Sequence, residues 1–364
     1  MIKEKFVSVV IPAYNEEDQI LMVLSSMPKF VDIIFVVDDC SNDKTYTVVK
    51  DFIDSDTNSI HADLKPFKWE NSNNPFDKVT NAYYEMLKSQ ENKYVPSSMY
   101  KKLDSRVVLL KHGINSGVGA AISTGYKHSR DYGVHCTAVM AGDGQMDPSE
   151  LFDLCIPIVE GYADYSKGNR LRHRAAKLFI PKTRYIGNSI LSVLTKLASG
   201  YWRISDTQTG YTAISLKALE SIDIWDIYKS YGMPNDILVK LNIESAKIIE
   251  IPIKPVYNVG EKSKMKILNV IPTVSWLLFK SFFRRIWRKY FIRDFHPISL
   301  LYLIGLVLLI TTIPVAIDIL RTILDGNNVS ELRFLALILC LFSGSQTFLF
   351  AMWMDIQDND KLYI

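Results

Sequence analysis

Apolar and polar positions alternate along the N-terminal part of the chain in two rhythms. "VSVVIPAY" (residues 7–14), "VDIIFVVDDC" (31–40), "RVVLLKHG" (106–113) and "HCTAVMAGDG" (135–144) are short, nearly continuous apolar runs, the pattern of strands buried on both faces. Between them, "EEDQILMVLSSMP" (16–28), "KTYTVVKDFID" (44–54) and "GAAISTGYKHSRDYG" (119–133) read as helices. Strands and helices in alternation predict an α/β domain with a mostly parallel sheet and helices on both faces. Each strand breaks off in polar residues: Tyr14-Asn15-Glu16, Asp38-Asp39, Asn115-Ser116-Gly117, then Asp143. Open α/β sheets bind ligands outside the carboxyl ends of their strands, so these four ends outline a site of nucleotide size.

Between residues 54 and 105 the rhythm lapses into a polar stretch rich in Asn and Lys, with one helical pattern near Lys78 to Ser89. It reads as an insertion. The C-terminal part follows a third pattern. Ile298 to Leu320 and Phe334 to Met354 are apolar over about 20 residues, enough to cross a bilayer, and Asp318 is the one charge within them. Two transmembrane helices are predicted, joined by the short loop "RTILDGNNVSE" into a hairpin that brings the C-terminal tail back beside the first domain. Just before the hairpin, Trp276, Phe279, Phe282, Phe283, Ile286, Trp287, Tyr290 and Phe291 recur at three- and four-residue intervals among basic residues. That is the composition of an amphipathic helix lying in the headgroup layer. The expected organisation is a sheet domain over residues 1–265, a basic interfacial segment over 266–296, and the hairpin with a short tail over 297–364.

Composition narrows the function. The chain has 364 residues, is 48% hydrophobic and carries a formal net charge of +3. It is too apolar for disorder, and too nearly neutral for a nucleic-acid binder. The basic charge is local: between Lys254 and Arg293 ten basic residues face a single acid, Glu261. Cys40, Cys136, Cys155 and Cys340 are scattered without metal-ligand spacing and read as buried free thiols. The N-terminus enters a strand without the apolar core of a signal peptide, so the sheet domain is expected on the cytosolic side of the membrane, as positive charge flanking a span also suggests.

"VVIPAYNEE", "VVDDCSNDKT", "NSGVGAA", "AGDGQMDP" and "KGNRL" stand in the order and spacing of a family 2 glycosyltransferase with the GT-A fold. With the aromatic basic segment and the two spans, the chain resembles the polyprenyl-phosphate (dolichyl-phosphate) sugar synthases. The resemblance implies that Pro12, Tyr14, Glu16, Asp38, Asp39 and Gly117 bind the donor nucleotide. It implies that Asp143, with Gln145, ligates Mg²⁺ or Mn²⁺ on the donor diphosphate. Such cations take hard oxygen ligands and neutralise a departing nucleoside diphosphate. Where relatives carry Asp-x-Asp this chain has Ala141, so only the second carboxylate remains; Asp147 is either a further ligand or the cap of the turn "DPSE".

The acceptor implied is a lipid monophosphate. Its second pKa of about 6 leaves it largely ionised, so it needs cations more than a base. Arg170, Arg184, Lys262 and Lys264 are the candidates, Arg being suited to clamp phosphate oxygens through two bonds. Asp206, in "SDTQTGYTAIS", falls where relatives carry an acceptor-side acid and is expected to act as base or sugar contact, or else as a turn former. The expected reaction is inverting transfer of one hexose from a UDP-sugar (glucose or N-acetylglucosamine) or from GDP-mannose to dolichyl or polyprenyl phosphate.

Three other readings stand beside it. "NSGVGAA" imitates the glycine fingerprint of dinucleotide-binding oxidoreductases, although the third glycine is missing. A processive polysaccharide synthase would share the fold, yet the Gln-x-x-Arg-Trp motif and further spans are absent from this sequence. Ala141 is also compatible with a degenerate protein that binds sugar nucleotides or lipids without turning them over.

Overall fold

The computed structural model describes residues 1–56, 64, 66, 74–102, 105–172, 182–256 and 267–364, with backbone alone at 91–93, 182–190 and 267–271. Eight strands form one sheet: β1 (Val7–Ala13), β2 (Ile33–Asp38), β3 (Ser97–Lys101), β4 (Val107–His112), β5 (Cys136–Val139), β6 (Tyr165–Asn169), β7 (Thr212–Ser215) and β8 (Ile248–Pro252). Their order is β3-β4-β2-β1-β5-β7-β6-β8. Only β3 and β7 run against the rest. The carboxyl ends of the other strands therefore share one edge, and the segment leading into β7 joins them there.

The helices are α1 (Ile20–Ser25), α2 (Thr45–Ser55), α3 (Pro75–Tyr94), α4 (Val118–Asp131), α5 (Leu151–Val159), α6 (Lys182–Ser199), α7 (Leu216–Ser221), α8 (Met233–Ile243), α9 (Ile267–Arg285), α10 (Pro297–Leu324) and α11 (Glu331–Asp360). In β2, Ile33, Phe35 and Val37 enter a core shared with α4, α7 and α8, whereas Ile34 and Val36 enter a second core with α1, α2 and α5. Apolar side chains on both faces are why the strand reads as a continuous run rather than an alternation. Burying each one contributes roughly 1.5–3 kcal/mol, so β2, buried along its whole length, anchors the sheet.

The insertion is more than a loop. It contributes α3, longer than the expected helix, and then β3, which pairs antiparallel with the free side of β4. The polar, exposed sequence "SSMYK" suits a strand at the rim of a sheet. Of the cysteines, all free, Cys136 and Cys155 are buried as expected, while Cys40 and Cys340 are only partly covered.

α10 and α11 are long and apolar enough to cross a membrane, and each outruns the expected span by several residues. They pack antiparallel through small residues. A Cβ on Gly305 would lie 2.9 Å from the Phe348 nitrogen, and one on Gly344 would lie 3.0 Å from the Leu309 nitrogen; such close backbone approach is how helices associate in lipid. Their other faces, including Leu303, Ile310, Leu335 and Phe342, are exposed. Beyond α11 the chain returns to the sheet: the Ile248 amide donates to Leu362 O at 2.8 Å and the Ile364 amide to Ile248 O at 3.0 Å. The expected return of the tail is thus realised as backbone pairing on β8.

The segment before the hairpin corrects an expectation. Helix α9 continues into a π-helix over Ile286–Arg293, and Trp276, Phe279, Phe283 and Trp287 are exposed as an interfacial helix requires. Three of the basic residues, Arg284, Arg285 and Lys289, turn toward protein, while Lys280, Arg288 and Arg293 stay exposed. Arg285 is fully buried, with two 2.7 Å contacts to Asp355 of α11 and further bonds to the carbonyls of Leu197 and Ala198. Lys289 bonds Asn359 and Asn242; Arg284 pairs with Asp226 and Asp236; Arg293 with Glu244. Burial lowers the Lys289 pKa to about 8. Buried charges must be paired, and the acids that pair them lie far away in sequence. A third apolar cluster, joining α6, α8, α9, α10 and α11, completes this seam between sheet domain and hairpin.

Candidate active site

The first two loops at the carboxyl edge lock together. Asn15 and Cys40 have left-handed backbones, with φ of 53° and 62°. The Asn42 amide donates to Asn15 Oδ1 at 2.8 Å, the Asn15 amide to Ser41 Oγ at 3.0 Å, and the Glu16 amide to Thr45 Oγ1 at 2.8 Å. Asn tolerates this conformation better than most residues. Tyr14, Glu16 and Pro12 sit half-buried on this floor. Asp38, at the end of β2, accepts the Ser41 amide through Oδ1 at 2.9 Å. Its Oδ2 is buried and has no hydrogen-bond partner among the described residues. Buried acceptors are normally satisfied, so an N–H donor from a ligand fits there.

Asp39 does not share that role, which corrects the expectation for the pair. Its Oδ1 contacts His112 Nδ1 at 2.7 Å and accepts the Ser116 amide at 2.9 Å, while Oδ2 accepts the Gly117 amide at 2.7 Å. Burial opposes its ionisation, but the hydrogen bonds to His112 and the two amides outweigh burial and lower its pKa. Asp39 thus braces the loop between β4 and α4 with both of its oxygens, and His112, unmarked by any motif, is its anchor.

That loop also excludes the dinucleotide reading. Gly117 has φ of 95°, and a Cβ there would lie 2.5 Å from the Lys229 carbonyl oxygen. The same carbonyl accepts the Gly119 amide at 2.8 Å and the Ala120 amide at 3.2 Å. These first amides of α4, which a pyrophosphate would need, are therefore occupied. Gly117 serves a close chain crossing and is not placed as a ligand contact.

Asp143 follows β5, half-buried, and its Oδ1 accepts the Gln145 amide at 3.1 Å. No group of three or more His, Cys, Asp or Glu that could hold a metal occurs among the described residues. One carboxylate and one amide oxygen do suit Mg²⁺ or Mn²⁺ sharing its ligands with phosphate, since Mg²⁺ is commonly held by one or two carboxylates plus substrate oxygens. Asp147 resolves as the cap: it accepts the Ser149 amide at 2.9 Å and pairs with Lys254 at 2.8 Å, which draws its pKa down to about 2.

On the other side of the edge, Arg170 follows β6 and Asp206 precedes β7. Arg170 Nε and Nη2 meet the two Asp206 oxygens at 2.8 and 3.0 Å, and the Arg170 amide also reaches Oδ2 at 3.1 Å. Burial opposes ionisation of Asp206, but Arg170 and then Lys167 overcome it and lower its pKa. A carboxylate held this way is a poor base, and in the structure Asp206 is the ion-pair partner of Arg170. Two further charges underlie the pair. Lys167 is wholly buried, bonded to Thr209 O, with its pKa brought down to about 8 by burial. Glu250 accepts the Ser205 and Asp206 amides at 2.9 and 3.1 Å and Asn169 Nδ2 at 2.8 Å. Sequence pattern offered no sign of either beyond polar residues inside a strand. Arg184 lies in the first turn of α6 with its side chain outside the described residues, as are Lys262 and Lys264 altogether.

The sequence model of Glycosyl transferase family 2 matches residues 8–68 and 89–223, more than half of the chain and every loop of this edge up to Asp206. The chain belongs to glycosyl transferase family 2. It is a glycosyltransferase, and its mostly parallel sheet flanked by helices is the GT-A fold of that family. Among family 2 relatives it is similar to the UDP-N-acetylglucosamine–dolichyl-phosphate N-acetylglucosaminyltransferase of Methanococcus voltae, 28% identical over 79% of this chain and 97% of the relative. It is also similar to a dolichyl-phosphate beta-glucosyltransferase of Trichomonas vaginalis, 26% identical over 79% of this chain and 76% of that one. Among solved structures, glucosyl-3-phosphoglycerate synthase of Mycobacterium tuberculosis superposes with a TM-score of 0.46 at 15% identity, covering 78% of this chain and 81% of that one.

Proposed function

We propose that this family 2 enzyme transfers a single hexose from a nucleotide-diphosphate sugar to a dolichyl or polyprenyl phosphate at a membrane surface. The observation that carries the lipid acceptor is the tail on β8. It pairs with Ile248 at the start of β8, and its Tyr363 hydroxyl reaches Arg172, two residues beyond Arg170, so the far end of an apolar helical hairpin adjoins the Arg170 side and a site open to a soluble donor stands next to the bilayer. The sheet domain lies on the cytosolic face in this reading. Both relatives whose names specify a reaction are dolichyl-phosphate sugar transferases, which supports the same acceptor here.

The donor preferred is a UDP-sugar, glucose or N-acetylglucosamine, with GDP-mannose second. Asp38 Oδ2 would accept an N–H from the base, Tyr14, Glu16 and Pro12 would line its place, and Asp39 with His112 would hold the neighbouring loop in shape. Asp143 and Gln145 would hold a divalent cation, which when bound offsets the charge of the leaving diphosphate. Arg170, oriented by Asp206, meets the acceptor phosphate, with Arg184, Lys262 and Lys264 as further cations. An ionised phosphate is already a nucleophile, so no residue is needed to take a proton from it; attack on the face opposite the diphosphate inverts the anomeric carbon. The chain's contribution is alignment and charge.

Asp143→Ala tests the reading. Transfer should be lost while the thermal midpoint and binding of the metal-free nucleotide persist; unimpaired transfer by this variant, or turnover insensitive to EDTA, would rule out the cation site.

A further inference from the structure

We infer that the segment after the second span, Asp360 to Ile364, is a positioning element for the acceptor side of the site, with Tyr363 as its operative residue. The inference rests on the acceptor role just proposed for Arg170.

Side-chain and backbone contacts fix the segment. Leu362 is buried in the core against the sheet, and its carbonyl accepts the Ile248 amide of β8 at 2.8 Å. Asp360 pairs with Arg203 at 2.7 Å. The Tyr363 hydroxyl accepts from Arg172 Nη2 at 3.0 Å and faces Glu250 Oε2 at 3.5 Å. Without that hydroxyl, Arg172 and Glu250 stand 4.0 Å apart, beyond hydrogen-bond distance.

These partners are the groups on which the Arg170–Asp206 pair rests. Arg172 is two residues beyond Arg170 in the same turn, and Asn169 Oδ1 accepts the Leu171 and Arg172 amides at 2.9 and 3.1 Å. Arg203 begins the segment that runs to Asp206. Glu250 holds Asn169 with one oxygen and the Ser205 and Asp206 amides with the other, so a single buried carboxylate ties both arms of the pair together. Tyr363 touches that carboxylate from outside. Helix α11 leads without a break from the hairpin into this segment. Movement of the hairpin relative to the sheet is thereby transmitted to residues 169–172 and 203–206, not to the donor loops at Asp38 and Gly117. Tyr363 need not touch substrate; it acts through Arg172 and Glu250.

Tyr363→Phe keeps the ring and removes the hydroxyl. In purified full-length protein, with a short polyprenyl phosphate as acceptor, the expected result is a roughly 3- to 10-fold rise in acceptor KM, the scale of one lost hydrogen bond to a charged group acting at one remove. Donor KM and kcat should change less than about twofold on the same scale. Hydrogen exchange of the amides at 169–172 and 203–206 should quicken, and that of 38–45 should not. A second perturbation uses charge: Arg203→Asp and Asp360→Arg should each raise acceptor KM, and the double exchange should restore it. Unchanged acceptor KM, an equal rise in donor KM, or unchanged exchange at 169–172 and 203–206 would overturn the inference. If the unmodified protein yields no lipid product from any donor, the acceptor reading fails by itself, and the exchange comparison still decides whether Tyr363 positions these segments.

Discussion

Replacing Asp355 by Ala isolates the joint between sheet domain and hairpin. Arg285 and Asp355 are both fully buried and meet through two 2.7 Å contacts. Removing the carboxylate leaves the guanidinium with only the Leu197 and Ala198 carbonyls, and takes away an acceptor of the Tyr290 hydroxyl and of Asn359 Nδ2. An uncompensated buried charge of this kind costs about 3–5 kcal/mol, a large part of the roughly 5–15 kcal/mol by which proteins are stable. For a chain of 364 residues, with an unfolding entropy of about 2.1 cal/mol/K per residue, that is a fall in thermal midpoint of roughly 4–7 °C. Arg285→Met combined with the same Asp355→Ala leaves no charge to desolvate and should recover part of the loss, so a cycle of these two single variants and their double should return a coupling energy above about 2 kcal/mol. The assay is thermal unfolding in detergent of the unmodified protein, both single variants and the double. If Asp355→Ala falls by less than about 1 kcal/mol, or the double variant is as unstable as the worse single, the pair does not hold the joint as described.

Three further outcomes are expected. Asp38→Asn preserves the acceptor for the Ser41 amide but replaces the unpartnered oxygen by a donor; calorimetry should show UDP bound about 10- to 100-fold more weakly, with an unchanged thermal midpoint. Gly117→Ala forces a left-handed backbone costing about 1–3 kcal/mol, besides a Cβ at 2.5 Å from the Lys229 oxygen, and should lower the urea midpoint and weaken donor binding together. Asp39 has its pKa lowered in the folded state, so the stability it adds is complete above its unfolded value of about 3.9 and is lost as pH falls through the folded value. Urea titrations from pH 6 downward should therefore steepen below about pH 4, and Asp39→Asn should flatten that acid limb.

What the sequence could show depended on how local the cause was. Strands β1, β2, β4 and β5 and the helices between them were legible because burial on both faces leaves an uninterrupted apolar run, and both C-terminal helices were legible because each holds about 20 apolar residues, enough to cross a bilayer. Strands β3 and β6 carry "SSMYK" and "YSKGN", too polar to stand out, and their place comes from pairing with distant partners. The polar strand ends do lie together at the carboxyl edge of the sheet. Local pattern could not reveal which way each carboxylate turns: adjacent residues Asp38 and Asp39 differ because only the second meets His112, which is 73 positions away. Nor could it reveal which basic residues of the segment before the hairpin are buried, since Arg285 finds Asp355 across 70 positions. Arg285 looks solvated in sequence because its partner is remote, and it is buried in the fold.

The central claim is sugar transfer to a lipid phosphate, and the most direct measurement is the product itself. Labelled UDP-glucose, UDP-N-acetylglucosamine and GDP-mannose should each be offered with a short polyprenyl phosphate, in Mg²⁺, Mn²⁺ or EDTA, and the organic phase counted. One labelled lipid is expected, formed from a UDP-sugar, at one sugar per phosphate, and abolished by EDTA. Folded protein that yields no labelled lipid from any donor, or that builds chains of many sugars, would contradict it.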